Sequence, residues 1–133
     1  MELQALVNTS HRESITVGTA DLAVTVKSGD LPVLATPRMV ALMEQAAAAL
    51  LCPHLADGIT TVGTALHIAH TAPTAAGRTV TAEATLVETD GRRFVFAVAA
   101  FDDAGEIGRG THERVSVKSD RFLEKAAARG PEV

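Results

Sequence analysis

Glu44 is an acidic side chain within the most apolar stretch of the 133-residue chain. Residues 37–52 are mostly alanine, leucine, methionine and valine, which predicts a helix that is apolar nearly all round and enclosed by other elements. The residues three and four positions from Glu44 are alanine or valine, so no helical neighbour can pair with its carboxylate. A carboxylate among apolar groups either rises in pKa or finds a partner elsewhere, which makes Glu44 a candidate nucleophile or general base. Alternatively, this side of the helix could open to solvent, and Glu44 would then be a hydrated carboxylate with no catalytic role.

His70 is the second candidate, because an imidazole exchanges protons near neutral pH. It closes residues 60–71, whose alternation predicts a strand with Ile68 and His70 on one face and Gly63 and His67 on the other. A lone histidine at the end of a strand is more often structural than functional. Both interpretations of His70 therefore stay open at this point.

The remaining candidate groups lack the spacing of a metal site or a cofactor-binding loop. His11, His54 and His112 show no metal-ligand spacing. The glycines between residues 105 and 110 do not follow the order of a dinucleotide-binding loop, and we expect them where a strand bends or is closely approached. Cys52 follows the end of the predicted helix, where a thiolate is disfavoured. The sequence therefore predicts neither a metal ion nor a cofactor.

Thr36 and Pro37 mark the start of the predicted helix. Threonine is a favoured N-cap and proline is favoured at the first helical position. The free N–H groups at such a helix start also stabilise negative charge, so Thr36 could serve structure and chemistry together. Eight residues separate Thr36 from Glu44, which corresponds to about 12 Å of helical rise. We therefore expect no direct contact between the two, although a substrate or a second subunit could lie between them.

The alternation and turn signals predict the other elements. Short strands are expected at 14–17 and 22–27 before the helix, and four antiparallel strands after it, at 60–71, 78–89, 92–101 and 106–118. A terminal helix is expected at 121–129, capped by Ser119 or Asp120. This order predicts an α+β hot-dog fold, in which a curved antiparallel sheet wraps around one long central helix. Such a sheet leaves an edge that needs covering, so we expect a homodimer, with pairing into a tetramer left open.

Composition excludes several classes of function. Hydrophobic residues make up 47 % of the chain and charged residues 21 %, which indicates one folded domain over residues 1–133. The net charge of −4 and the 3 % aromatic content argue against nucleic-acid binding. No apolar run reaches the roughly 18 residues of a membrane span. The single cysteine and the absence of a signal-peptide pattern predict a cytoplasmic location.

Three stretches of the chain resemble the fluoroacetyl-CoA thioesterase family of hot-dog proteins, and they occur in the same order. They are residues 35–44 (ATPRMVALME), 62–72 (VGTALHIAHTA) and 107–114 (IGRGTHER). The similarity extends over residues 15–122. The combination of Ala-Thr, a glutamate eight positions after the threonine, and Gly-Thr-Ala leading to His-Thr-Ala is specific enough to indicate the family.

The resemblance implies an acyl-CoA thioesterase that acts at a dimer interface. The family's catalytic threonine, glutamate and histidine correspond to Thr36, Glu44 and His70. A glycine that offers its N–H near the thioester carbonyl corresponds to Gly63, and an arginine near the substrate corresponds to Arg114. The family's specialised enzyme carries a longer, aromatic segment before the helix, whereas residues 28–34 here are short and contain no phenylalanine. The resemblance therefore implies acyl-CoA hydrolysis without specifying the acyl group.

Alternatives from other functional classes remain at this stage. A hot-dog dimer could bind an acyl-CoA or another small molecule without turning it over, or it could be a structural dimer. A dehydratase or isomerase on the same fold would need a channel for an alkyl chain. Within the thioesterase interpretation, Glu44 could attack the thioester directly or act as a general base on water.

Overall fold

The computed structural model describes residues 3–131, so residues 1–2 and 132–133 of the predicted domain lie outside the described range. Its strands are β1 (Ser10–Thr16), β2 (Ile59–His70), β3 (Thr79–Thr89), β4 (Arg93–Asp102) and β5 (Gly105–Lys118). Its α-helices are α1 (Ala23–Val26), α2 (Thr36–Leu51) and α3 (Ser119–Ala128). Short 3-10 turns occupy Leu3–Leu6, Thr19–Asp21 and Cys52–His54.

The five strands form one curved antiparallel sheet in the order β1-β3-β4-β5-β2. The sheet wraps around α2, which confirms the predicted hot-dog architecture. Alternating inward residues of β3 and β4 pack against one side of the helix and exclude water, which is the main driving force for this arrangement. The largest fully buried side chains of this core include Phe94, Phe96, Met39, Leu42, Met43 and Leu86. Strand β2 is left at one edge of the sheet.

Helix α2 begins and ends within one residue of its predicted bounds. Thr36, however, is not the N-cap. Ala35 occupies that position, no side chain caps the helix, and Thr36 is the first helical residue. The hydroxyl of Thr36 bonds a histidine of β2 instead, so it is directed away from the free N–H groups at the helix start.

The prediction of a strand at residues 22–27 was wrong. The Val26 N–H donates to the Leu22 carbonyl at 2.9 Å and the Lys27 N–H donates to the Ala23 carbonyl at 2.8 Å, which closes the single helical turn α1. Lys27 ends this turn in the left-handed region, with φ of 70°. Six alternating residues are too few to distinguish a strand from a helical turn in the sequence. No neighbouring strand is available to pair with this segment, so it forms the turn.

Strand β2 contains a bulge that corrects the predicted faces of its side chains. Gly63 pairs with Arg114 and the next paired residue is Ala65, so Thr64 is the extra residue. The bulge reverses the alternation, so Gly63 lies on the same face as His70 and not on the opposite one. A strictly alternating strand could not have placed both residues toward α2.

The last elements follow the predicted order with small differences. The predicted cap at Ser119 or Asp120 was wrong, because Lys118 is the N-cap of α3 and no side chain bonds the helix start. A Cβ at Gly110 would collide with the backbone of His67, which confirms a close approach between β5 and β2. Among residues 3–131, no helix is long and apolar enough to cross a membrane.

Candidate active site

Thr36 and His70 form a pair at the start of α2. The Thr36 Oγ1 and His70 Nδ1 atoms share a hydrogen bond of 2.7 Å. Within the described part of the chain, the buried Nε2 of His70 has no hydrogen-bond partner. Burial lowers the pKa of His70 below its ordinary value of 6.5, and the backbone of Ala72 offsets only part of this effect. A neutral imidazole with one unsatisfied nitrogen is suited to hold a proton for a bound ligand.

Glu44 lies over Gly63, near the opposite end of β2 from His70. Its Oε2 is 2.7 Å from the position that a Cβ would take at Gly63. The same oxygen is 3.8 Å from Nη1 of Arg114, and the Glu44 side chain is 37 % exposed whereas that of Arg114 is 9 % exposed. The carboxylate that the helix leaves unpaired therefore finds a cation on β5. Only a glycine at position 63 allows the carboxylate to approach the strand this closely.

Arg114 is held in place by Thr61 and His112. Its Nε donates to Thr61 Oγ1 and its Nη2 donates to the Thr61 carbonyl, both at 2.9 Å. Its Nη1 is 3.2 Å from Nε2 of His112, and the Nδ1 of His112 is 2.9 Å from the carbonyl of Ala65. Since a carbonyl only accepts, Nδ1 carries the proton and Nε2 accepts from Arg114. One guanidinium nitrogen is thereby directed toward Glu44.

His112 is a site residue that sequence reasoning missed, because it was considered only as a metal ligand. It is fully buried, and its ring stacks against Phe96 with centroids 6.3 Å apart. The available signal was its spacing of two residues from Arg114, which places both side chains on one face of a strand. Burial lowers the pKa of His112 and Arg114 lowers it further, while the Ala65 carbonyl, Glu44 and Glu113 oppose the shift.

The histidine pKa shifts give the protein a pH-dependent stability. His70 and His112 have pKa values lowered below 6.5 by folding, so folding favours their neutral forms. This stabilisation of the folded protein is complete above the pKa that the histidines have in the unfolded chain. It is lost as the pH falls through their lowered pKa values in the folded protein. We expect the free energy of unfolding in urea to decrease between about pH 7.5 and pH 5.5, and His112→Gln to reduce that decrease. An identical slope in His112→Gln and in the exposed control His54→Gln would contradict this account of His112.

Within one chain, the structure does not bring the two groups of residues together. Thr36 contacts His70, and Glu44 lies near Gly63 and Arg114. Among residues 3–131, no hydrogen bond or ion pair joins Glu44 to Thr36 or His70. The expectation that Thr36 and Glu44 do not bond directly agrees with this arrangement. The chain thus carries two separate groups of candidate residues, the Thr36–His70 pair and the Glu44–Gly63–Arg114 cluster, which we call its two half-sites.

Gly63→Ala tests the cluster around Glu44. The new Cβ would lie 2.7 Å from Glu44 Oε2 and 3.1 Å from Cε1 of His112, so the carboxylate must move. Because the displaced atom is the end of a side chain, we expect a nearly unchanged melting temperature. For the thioester hydrolysis that the sequence resemblance implies, we expect kcat/KM to fall about tenfold, since small displacements of a reacting group slow a reaction steeply. Gly18→Ala is the matched control, because its nearest neighbouring atom would be 3.7 Å away; equal activity in both variants would contradict the proposed placement of Glu44.

Comparisons with known proteins indicate one family. Residues 17–120 match the model of the fluoroacetyl-CoA-specific thioesterase family, FlK. The fluoroacetyl-CoA thioesterase of Streptantibioticus cattleyicolor is 42 % identical over 99 residues, which cover 74 % of this chain and 71 % of that protein. The structure of fluoroacetyl-CoA thioesterase FlK superposes with a TM-score of 0.88 at 34 % identity, covering 94 % of this chain and 97 % of that one.

A second solved structure supports the fold. The hot-dog-like protein from Thermanaerovibrio acidaminovorans superposes with a TM-score of 0.87 at 29 % identity, and the match covers 100 % of both chains. The similarity therefore extends across the whole architecture and includes the segments that carry both half-sites. The chain belongs to the fluoroacetyl-CoA-specific thioesterase family, and it is a thioester hydrolase of the hot-dog fold that acts on acyl-CoA.

Proposed function

We propose that this protein hydrolyses small acyl-CoA thioesters, with Glu44, His70 and Thr36 as its catalytic residues and Gly63 and Arg114 in the substrate site. The observation that carries the proposal is the Glu44 carboxylate, which lies so close to Gly63 that only a glycine fits beneath it, and which is also 3.8 Å from the Arg114 guanidinium. Arg114, itself fixed by Thr61, restrains the carboxylate through its Nη1. A restrained carboxylate that stays 37 % exposed can be reached by a substrate, as attack on a carbonyl carbon requires.

Two routes of hydrolysis fit this geometry. As a general base, Glu44 takes a proton from water while the water oxygen attacks the carbonyl carbon. As a nucleophile, Glu44 attacks that carbon itself, and the resulting mixed anhydride is then hydrolysed by water. In both routes the carbon–sulfur bond breaks, and His70 takes up a proton from solvent at its unpartnered Nε2 and delivers it to the leaving thiolate. The Gly63 N–H and the positive end of α2 would stabilise the oxyanion, and one such donor contributes about 2.7–4 kcal/mol.

We further propose that the complete site forms between two subunits. The edge strand β2 carries Leu66 at its middle, 40 % exposed. If β2 pairs antiparallel with the same strand of a second copy, a two-fold axis near Leu66 and His67 would set His70 opposite Gly63 of the partner subunit. His70 and Thr36 of one subunit would then face Glu44 of the partner subunit. Sedimentation equilibrium should give the mass of a dimer or a multiple of it, and a monomer that remains fully active would contradict the proposal.

The thioesterase assignment is tested by thiol release from a panel of acyl-CoAs. Short, halogenated, aromatic and long acyl groups should be compared at equal concentration. We expect short acyl groups to be hydrolysed and long ones to be poor substrates. Saturable binding of acyl-CoA without thiol release would instead identify a non-catalytic binding module.

A further inference from the structure

Arg114 approaches Glu44 without closing onto it. The Arg114 Nη1 and Glu44 Oε2 atoms are 3.8 Å apart, whereas a direct bond between such charged groups is about 2.7–2.9 Å long. In the described part of the chain, this is the one ion pair that Glu44 makes. Arg114 is buried, and a buried arginine beside a carboxylate would ordinarily gain from a direct, two-point bond. Other contacts must therefore hold the guanidinium back.

Neutral acceptors face every nitrogen of the guanidinium. Thr61 accepts from Nε at its hydroxyl and from Nη2 at its carbonyl, so these two nitrogens face β2 and not the carboxylate. Nη1 is the remaining nitrogen, and it lies 3.2 Å from Nε2 of His112. How closely Nη1 can approach Glu44 therefore depends on His112.

His112 is itself fixed on three sides. Its Nδ1 donates at 2.9 Å to the carbonyl of Ala65, the first paired residue after the bulge in β2. Its ring stacks against Phe96, and its Cε1 would be 3.1 Å from a Cβ at Gly63. The position of Nε2 is thus set by contacts on β2 and β4, and the ring cannot turn without breaking them.

The ring of His112 accepts from Arg114 only while it is neutral. Burial has the largest effect on the pKa of His112 and lowers it, and Arg114 lowers it further. The Ala65 carbonyl, Glu44 and Glu113 oppose this shift. A protonated Nε2 would be a donor that faces another donor on Arg114. The neutral ring with its proton on Nδ1 is therefore the form that holds Nη1.

We propose that His112 is a positioning residue for Glu44, because its bond to Nη1 keeps Arg114 from closing onto the carboxylate. A carboxylate bound directly by guanidinium N–H groups is a weaker base, and the lone pairs that would attack or take a proton are occupied. At a distance of 3.8 Å, Glu44 has a nearby cation and keeps its oxygens free. The reaction of Glu44 rests on the proposed function, whereas the hydrogen bonds of Arg114 are independent of it.

Two substitutions of His112 separate its two hydrogen bonds. Asparagine can donate from the position of Nδ1 but does not reach Arg114, whereas the oxygen of glutamine can take the position of Nε2 and accept from Nη1. In His112→Asn, we expect kcat for acyl-CoA hydrolysis to fall about tenfold and KM to change less than about twofold, since Arg114 closes onto Glu44. In His112→Gln, we expect kcat to stay within about threefold of the wild type. Equal kcat in the two variants would overturn the proposal.

The melting temperature separates positioning from a purely structural role. Both variants lose the stacking against Phe96, so we expect similar decreases in melting temperature. Val80→Ala is the matched control, because Val80 is fully buried in β3, two strands away from β5. Its truncation should lower the melting temperature and leave kcat unchanged. A kcat that follows the melting temperature across the three variants would make His112 a structural residue and overturn the proposal.

Crystal structures test the proposal without an activity assay. We expect Nη1 of Arg114 and Oε2 of Glu44 to stay near 3.8 Å apart in the wild type and in His112→Gln, and to approach to about 2.8 Å in His112→Asn. Closure in His112→Asn without hydrolysis by the wild type would retain the hold of His112 on Arg114 and refute the hydrolase assignment. Hydrolysis by the wild type without closure in His112→Asn would refute the role of His112 alone.

Nitrogen NMR of the wild-type imidazole gives a test that needs no variant. The chemical shifts of His112 should show a proton on Nδ1 and none on Nε2 at neutral pH. A proton on Nε2 would overturn the proposal even if neither histidine variant folds, because Nε2 could then not accept from Arg114.

Discussion

Glu44→Gln is expected to lower kcat for acyl-CoA hydrolysis at least about 10²-fold while the protein stays folded. Glutamine has nearly the same size, but it can neither attack the thioester nor take a proton from water. Arg114 would keep its bonds to Thr61 and His112, so the surroundings of residue 44 should be preserved. Thiol release under saturating substrate measures this effect.

The matched control for Glu44→Gln is Glu88→Gln. The Glu88 side chain is 70 % exposed on β3 and pairs loosely with Arg93, so its substitution should leave kcat unchanged. Binding of acyl-CoA by Glu44→Gln should remain measurable, because Gly63 and Arg114 are unchanged. Turnover equal to that of the wild type would show that Glu44 is neither nucleophile nor base.

His70→Ala is expected to produce a second loss of kcat of at least about 10²-fold. The substitution removes the imidazole that would deliver a proton to the leaving thiolate. It also removes the buried, unpartnered Nε2, so a decrease in stability is not expected to explain the lost activity. Thr36→Ala should lower kcat less, about tenfold, because it removes only the hydroxyl that orients the imidazole of His70.

His54→Ala is the control for His70→Ala, because His54 is exposed and lies in the turn after α2. A more activated thioester, with a leaving thiol of lower pKa, should restore part of the activity of His70→Ala, since a better leaving group needs less help from an acid. The same rescue in Glu44→Gln is not expected. Equal rescue of both variants would contradict the separate roles given to the two residues.

Much of the fold follows from local patterns in the sequence. The apolar run after Thr36 and Pro37 predicts α2 to within one residue at each end, and the Asp90-Gly91 turn predicts the hairpin between β3 and β4. In this hairpin, the Asp90 carboxylate accepts N–H bonds from Arg92 and Arg93, which explains why so short a signal is sufficient. These features depend on residues that are close together in the chain, so they can be predicted from the sequence.

The features that the sequence did not predict depend on contacts between distant segments. The bulge at Thr64 is a feature of the pairing of β2 with β5, and it decides that Gly63 and His70 share a face. The role of His112 depends on Arg114 reaching Thr61, 53 residues away in the chain. The turn at α1 forms where no strand is available for pairing. None of these follows from periodicity or from propensity.

In the candidate site, too, the sequence predicts local features but not the contacts between distant segments. Glu44 could be identified as an unusual carboxylate from the sequence, but its cation, Arg114, comes from another strand. Thr36 had a complete explanation as a cap, yet its hydroxyl bonds His70 across the fold. The grouping of the site residues into two half-sites became visible only in three dimensions. It is this grouping that motivates a site shared between subunits.

The most direct test of the shared site is complementation between two inactive variants. Subunits with Glu44→Gln and subunits with His70→Ala, carrying different affinity tags, would be co-expressed and the mixed dimer isolated. If Glu44 of one subunit acts with His70 of the other, one of the two sites in the mixed dimer is intact, and we expect about half of the wild-type kcat per dimer. Activity no higher than that of either parental variant would contradict a site built across the two-fold axis.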